Sequence, residues 1–254
     1  MSAKKLFATD FDGTLCQYPH GVTEEYLKKI TEFRSKGNVF GIITGRTHAN
    51  SELIIKDYAK YCDFIMCMTG AYAEDGQGNM IFEYKGDGEI LPTLLKTIVE
   101  MGCGYLNFSD KEFTYDVDTT APLTDDSEAI AEAKRHTSFS QINTCFDPEE
   151  HLEKCVAKLR ELYADKINPQ LNGHCVDIPP AGVSKGKAVK RMAEYFGVED
   201  GNIYTAGDND NDVTMLEMHH GYTVPHGSKA CKAAAEKIMW NVGEMLDDVM
   251  SRDR

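Results

Sequence analysis

No stretch of this sequence approaches the roughly 20 consecutive apolar residues that a membrane span requires. Positive charge is scarce as well: 27 Lys and Arg stand against 41 Asp and Glu, a formal net charge of −14. A negative field of that size argues against non-specific binding to nucleic acid or to anionic membrane surfaces. The eight cysteines, at 16, 62, 67, 103, 145, 155, 175 and 231, include no CxxC pair. They read as reduced, mostly buried thiols of a cytoplasmic protein. The first apolar segment begins within a few residues of Met1, so no signal peptide is expected. No GxGxxG, Walker A or GxSxG pattern sits in a strand-to-helix context. None of the eight histidines forms a metal-spaced set with acids, and there are no internal repeats.

What is there is an ordinary globular composition, 42% hydrophobic and 27% charged, on a 254-residue chain. That length has room for one large domain or two smaller ones. Residues 6–15, Leu-Phe-Ala-Thr-Asp-Phe-Asp-Gly-Thr-Leu, read as a buried parallel strand running into two carboxylates one residue apart. Residues i and i+2 of a strand share a face, so Asp10 and Asp12 are expected to start out aimed the same way. Two such charges raise each other's pKa unless a cation lies between them. A hard, oxygen-seeking ion such as Mg2+ is the natural candidate. Gly13 permits the sharp turn that follows. Because D-x-D-G also caps ordinary turns, the rest of the chain has to decide between the two readings.

Thr23 is expected to cap a helix whose Leu27, Ile30 and Phe33 share a face, closed by Gly37. Residues 38–44 and 63–69 read as second and third apolar strands, with a polar-faced helix over 49–60 between them. Strand, helix, strand, helix, strand predicts a parallel, doubly wound sheet. The texture then changes, with a turn at 75–79, a strand at 80–84 and a Gly-Asp-Gly linker at 86–88. An amphipathic helix follows, carrying Leu94, Leu95, Ile98 and Val99 on its apolar stripe. Period-two alternation through Phe113, Tyr115 and Val117, a helix from about Pro148 and a strand over 170–178 complete this α+β block. The α/β pattern returns with a helix at 185–196, a strand at 203–208, a helix at 211–218, a strand at 222–224 and a final helix from near Ser228. The expected organisation is an α/β core, residues 1–85 and 182–254, interrupted by an inserted α+β domain, residues 86–181.

Asp10, Thr44 and Asp208 all stand where a predicted strand gives way to a loop, the side on which open α/β sheets bind ligands. Residues 207–212, Gly-Asp-Asn-Asp-Asn-Asp, place three acids in six residues. Helix capping explains one or two of them. Asp208 is the expected third metal ligand, Asp212 a support behind it, and Asn211 an amide donor to a phosphate oxygen. Ser184 is a good N-cap, yet Lys185 and Lys187 occupy the first turn, where the helix dipole disfavours cations. That breach points to Lys185 as a pocket residue facing both the acids and a phosphoryl group; Lys187 and Lys190 read as solvent-facing. Thr44-Gly45-Arg46 offers a hydroxyl and backbone N–H groups to an anion, with Arg46 open between ligand and structural roles. His48 and His174 are candidate pocket neighbours. Asn143, Cys145 and Asp177 are candidates for the inserted domain's side of the pocket, and no pattern chooses among them.

Asp10-x-Asp12-Gly13-Thr14, Thr44-Gly45-Arg46, Lys185 and Gly207-Asp208-x-x-Asn211-Asp212 resemble, in order, the four motifs of the haloacid dehalogenase (HAD) superfamily. Residues 182–186 and 207–216 resemble its Cof-type, subfamily IIB hydrolases in particular. One departure is Thr69-Gly70-Ala71, where that group usually has Asn-Gly-Ala. The resemblance implies a Rossmann-like doubly wound core with an inserted C2B-type cap. It also implies a Mg2+-dependent phosphatase of small-molecule phosphate esters, with sugar phosphates as the default substrate. By the same resemblance Asp10 is the nucleophile that becomes an aspartyl-phosphate, and Asp12 is the general acid and then base. Mg2+ would be held by the Asp10 carboxylate, the Asp12 backbone carbonyl and the Asp208 carboxylate. The Phe11 amide, Thr44, Gly45, Lys185 and Asn211 would hold the phosphoryl oxygens. The alternatives are a phosphomutase of the phosphomannomutase kind and a non-catalytic phosphate-binding regulatory protein. No nucleic-acid or membrane partner is expected, and the chain is expected to be a monomer or homodimer.

Overall fold

A computed structural model of the chain describes residues 3–147 and 150–252. The chain first lays down β1 (Leu6–Thr9), α1 (Glu24–Ser35), β2 (Val39–Ile43), α2 (His48–Ile54) and β3 (Phe64–Cys67). A hairpin of β4 (Tyr72–Asp75) and β5 (Met80–Glu83) follows. The next stretch holds β6 (Gly86–Asp87), α3 (Leu91–Glu100), β7 (Tyr105–Ser109), β8 (Thr114–Asp116) and α4 (Glu128–Ala133). It continues with β9 (Ser138–Phe139), β10 (Gln141–Cys145), α5 (Glu150–Tyr163), β11 (Gln170–Asn172) and β12 (Cys175–Ile178). Then come α6 (Lys185–Phe196), β13 (Ile203–Ala206), α7 (Val213–Met218) and β14 (His220–Thr223). The chain closes with α8 (Lys229–Ala234), β15 (Lys237–Ile238) and α9 (Val242–Ser251).

Eight strands form one sheet in the order β15-β14-β13-β1-β2-β3-β4-β5. The first six run parallel and the β4–β5 hairpin is antiparallel, so the expected α/β core is present with an antiparallel edge. Every residue of β1, β2, β3 and β13 is buried, as suits strands covered by helices on both faces. One face packs Phe7, Phe33, Phe40 and Tyr222 with Met245 and Leu246 of α9. The other packs Leu6, Ile43 and Phe64 with Val189 and Met192 of α6.

A second, antiparallel sheet has the order β11-β12-β10-β7-β8. Leu94, Leu95 and Ile98 of α3 and Leu152 and Leu159 of α5 cluster with Phe108, Ile142, Val176 and Ile178. The alternate positions on these strands, Asn107, Asn143 and Asp177, therefore belong to the opposite face. Asn143 lies directly across from Asn107 on one side and from Asp177 on the other. One row of polar side chains thus crosses three strands.

Several elements differ from the sequence expectation. The helix expected over 49–60 stops at Ile54 and continues as 3-10 turns over Lys56–Tyr61. Ser51 and Ile55 are the deeply buried residues of this stretch, too little packing to support a longer helix. The strand expected over 170–178 is a hairpin, because Gly173 takes φ 58 and reverses the chain. The linker at 86–88 pairs with β9. After Ser228 there are two helices with a strand between them. The helix start expected at Pro148 lies outside the described residues. The all-thiol expectation also fails. Cys145 and Cys175 stand opposite one another on β10 and β12 and form a disulfide, while the other six cysteines are free. Thirty residues separate the pair in sequence, so only strand pairing brings them together.

Gly41 sits in the middle of β2 opposite Phe64, whose ring covers the place a Cβ would occupy. Gly41→Ala is expected to destabilise the protein by about 1–3 kcal/mol through overpacking. Chemical denaturation of the two proteins checks this, and equal midpoints would mean that the ring moves aside freely.

Candidate active site

β13, β1 and β2 are neighbours, so the loops that follow them open at one edge of the sheet. Those loops carry Asp208, Asp10 and Thr44. Gly13 turns the chain at φ 83 with its Cα against the Asp208 carboxylate, where a side chain would collide. Thr14 Oγ1 donates to Asp208 Oδ1 at 2.7 Å. Asp212 braces the loop after β13: its Oδ2 accepts from the N–H groups of Asp208 and Asn209 at 2.9 and 3.0 Å.

Lys185 opens α6 behind the Ser184 cap, and its side chain is 1% exposed. Its Nζ donates to Asp10 Oδ1 at 2.7 Å and to Asp212 Oδ1. Burial disfavours a charged lysine, but Asp10 and Asp212 more than reverse this and hold the ammonium above its ordinary pKa. Burial lifts the Asp10 carboxyl well above its ordinary value; Lys185 pulls it down and Asp212 and Asp208 push it up again. Burial also raises Asp208, with Asp212 adding to the effect.

Oxygens of Asp10, Asp208 and Asp212 lie within 4.8 Å of one another. Three carboxylates thus share one ammonium, an imbalance that a hard divalent cation would correct, and an all-oxygen donor set suits Mg2+. The structure does not add the Asp12 carboxylate to this set. Arg46 takes it as a two-pronged pair, Nε to Oδ2 at 2.7 Å and Nη2 to Oδ1 at 2.8 Å. The alternation that aims Asp10 and Asp12 alike ends with β1 at Thr9. Beyond it the turn rotates the second acid toward Arg46.

The cleft beside these groups measures about 250 Å3 and is bordered by Asp10, Asp12, Thr44, Gly45, Arg46 and Asn211 on the core side. Thr44 and Phe11 are buried. Asn211 Nδ2 donates to Asp177 Oδ2 at 2.9 Å, so a β12 residue meets the amide expected to face a phosphoryl group. Asn143, Cys145 and Asp177 border the cleft, as does the Cys145–Cys175 disulfide as a whole. Asn50, Tyr105, Asn107 and Asn172 border it too and were not singled out in the sequence. The period-two pattern of β7, β10 and β12 was the available signal, but which phase faced the core was not readable. His48 and His174 are not among the bordering residues. His48 Nε2 faces Glu74 Oε2 at 3.4 Å and its ring stands edge-on to Tyr72.

The chain matches the family model for haloacid dehalogenase-like hydrolases over residues 7–244. It belongs to that family. The HAD hydrolase is 33% identical over 87 residues to a phosphoglycolate phosphatase of Pyrobaculum aerophilum, a match spanning 34% of this chain and 38% of that one. Over 231 residues it is 24% identical to the HMP-PP phosphatase of Serratia proteamaculans, covering 88% of this chain and 82% of the other. Among solved structures it resembles a haloacid dehalogenase-like hydrolase from B. subtilis, with a TM-score of 0.81, 19% identity and 96% and 99% coverage. A subclass IIB sugar phosphatase gives a TM-score of 0.79 at 19% identity, with 96% and 98% coverage. At these identities the structural likeness establishes the fold alone: a HAD core with an α+β cap.

Thr69 departs from the usual asparagine and sits at φ 56, a left-handed conformation that a β-branched residue tolerates poorly and Asn tolerates well. Its hydroxyl donates to Gln141 Oε1 of the cap at 2.7 Å. Thr69→Asn in the HAD hydrolase is expected to relieve about 1 kcal/mol of backbone strain and raise the denaturation midpoint. A lowered midpoint would mean that the threonine's contacts outweigh the strain.

Proposed function

We propose that this protein hydrolyses a phosphate monoester of a small metabolite, with a sugar phosphate as the first substrate class to test. The observation that carries the reading is the buried Lys185 bridging Asp10 and Asp212 beside Asp208, at the ends of two adjacent parallel strands. A phosphoryl group needs positioning and charge neutralisation more than covalent help, and this cluster offers both. The relatives named as phosphatases of phosphoglycolate and HMP-PP support the reaction type without naming the substrate.

In this reading a carboxylate oxygen of Asp10 attacks phosphorus while Asp12 protonates the departing alcohol oxygen. Water, deprotonated by Asp12, then attacks the aspartyl-phosphate, releasing inorganic phosphate and restoring Asp10. Asp12 must leave Arg46, which holds it as a carboxylate, and carry a proton when the ester is cleaved; the proton taken from water in the second step restores the protonated form. Lys185 holds Asp10 in line and neutralises the phosphoryl oxygens, with Thr44, Gly45, Asn211 and the Phe11 amide as further donors. Asp10, Asp208 and the Asp12 backbone carbonyl would hold Mg2+, and Asp212 would steady the loop from behind. The ion would supply positive charge to the phosphoryl oxygens as the bond to the leaving group breaks.

The proposal takes residues 1–85 and 182–254 as core and 86–181 as cap, whose closure would exclude water and hold the leaving group. It keeps a cytoplasmic monomer or homodimer acting on small molecules, without nucleic-acid or membrane partners. Among the described residues no helix is long and apolar enough to cross a membrane. The Cys145–Cys175 disulfide is uncommon for a reducing compartment.

Phosphate release across a panel of sugar phosphates, nucleotides and pyridoxal phosphate tests the reading. Asp10→Asn is expected to leave a folded protein with at least a thousandfold lower turnover, in the range that a lost nucleophile costs. A chelator is expected to stop the wild-type reaction and Mg2+ to restore it. Full activity in Asp10→Asn sinks the mechanism, and isomerisation of a sugar phosphate without phosphate release favours a mutase.

A further inference from the structure

The cap side of the cleft is built from hydrogen-bond acceptors. Asp177, on β12 and 1% exposed, takes Asn143 Nδ2 on Oδ1 at 2.8 Å. Its Oδ2 takes the amide groups of Asn211 at 2.9 Å and Asn172 at 3.0 Å. These direct partners are neutral; burial works against the charged form, while the Lys185 ammonium acts on the carboxylate from a distance and offsets its charge in part. Asp177 lies so close to Gly45 that a Cβ there would meet Oδ2 at 2.5 Å, which puts the carboxylate beside the phosphoryl donors.

Two carboxamides in the same cleft each give one N–H to a neighbouring side chain and leave their oxygens over. Asn107, 2% exposed, gives Nδ2 to the Tyr105 hydroxyl at 2.6 Å, and that hydroxyl donates onward to Asp116. Asn211 gives Nδ2 to Asp177. Both Oδ1 atoms are buried without a hydrogen-bond partner. A buried acceptor left unpaired is costly, and both residues border the cleft. Arg46 is the cationic side chain bordering the cleft, and both of its prongs go to Asp12.

We propose that this row selects the leaving group by charge and by donor content. It takes an alcohol that presents hydroxyl or ammonium donors and rejects one carrying a second anion, with Asp177 as the residue that enforces the rejection. A carboxylate or second phosphate on the leaving group would meet the Asp177 charge and two carbonyl oxygens, while Arg46 is still held by Asp12 as the ligand enters. A hydroxyl or ammonium would satisfy the acceptors that now lack partners. The proposal rests on the phosphatase reading for the direction of the ester in the cleft, and it sets this chain apart from the relative named a phosphoglycolate phosphatase.

Three esters differ in leaving-group charge: glucosamine 6-phosphate, glucose 6-phosphate and the open-chain 6-phosphogluconate, with sorbitol 6-phosphate as the acid's neutral open-chain control. Calorimetric binding to the full-length Asp10→Asn variant with Mg2+ reads the selection without requiring turnover. Wild-type hydrolysis of p-nitrophenyl phosphate reads the phosphatase assignment separately. The acid is expected to bind at least tenfold more weakly than sorbitol 6-phosphate, and the amine at least as tightly as glucose 6-phosphate. Adding Asp177→Asn should shrink the gap to about threefold or less by strengthening binding of the acid. A merely structural role for Asp177 would instead weaken all the esters alike. Should that variant unfold, Asn107→Leu gives the second reading: binding of glucose 6-phosphate should fall more than binding of p-nitrophenyl phosphate, which carries no donor. The acid binding as well as sorbitol 6-phosphate, none of the esters binding at millimolar concentration, or a gap unmoved by Asp177→Asn overturns the proposal.

Discussion

The buried ammonium of Lys185 is the constraint on which the rest of this structure depends. An uncompensated charge at 1% exposure is not tolerated, so Asp10 and Asp212 must both approach it. Holding Asp10 there requires β1 to end at Thr9 and the chain to turn through Gly13. Holding Asp212 there requires the tight loop after β13, which Asp212 itself braces through two backbone N–H groups. Asp208 is then carried into the same space, and the site holds more negative charge than one lysine can balance. The polar cluster is a poor contributor to stability in itself. Its geometry is that of a site prepared for a cation and an anion together.

The cap answers this arrangement from above with the opposite chemistry. Its sheet hides Phe108, Ile142, Val176 and Ile178 against helices and turns the alternate residues toward the core. Antiparallel register lines up Asn107, Asn143 and Asp177 in one row and Cys145 with Cys175 in the next. The core thus supplies charge for one end of a ligand, and the cap supplies neutral polarity plus a single carboxylate for the other. Thr69 to Gln141 and Asn211 to Asp177 are among the hydrogen bonds that tie cap and core together. The departure from the usual asparagine at 69 therefore falls at a contact between cap and core.

Much of the core was legible before any coordinates. The strands containing Phe7, Ile42 and Ile203 are continuous apolar runs, and α6 begins at Lys185 and ends at Phe196, as its cap and stripe indicate. What was misread has two causes. The 49–60 helix and the cysteine pair depend on contacts between residues far apart in sequence, whereas local pattern reports only near neighbours. The 170–178 hairpin instead turns on Asn172-Gly173, a local turn signal that the apolar alternation around it masked. Asp12 is the instructive case at the site: alternation along a strand aims it with Asp10, but the strand has ended before either acid, and Arg46 decides where the second one points.

By itself, then, the sequence determined the residue types at the strand ends, the order of the motifs and the presence of an inserted α+β block. Those follow from hydrophobic period, capping and turn chemistry, which act over a few residues. Tertiary structure alone decided which carboxylates share Lys185, which phase of the cap strands faces the cleft, and that Cys145 meets Cys175. Each of these is set by register and packing between segments, where a shift of one residue exchanges one face of a strand for the other.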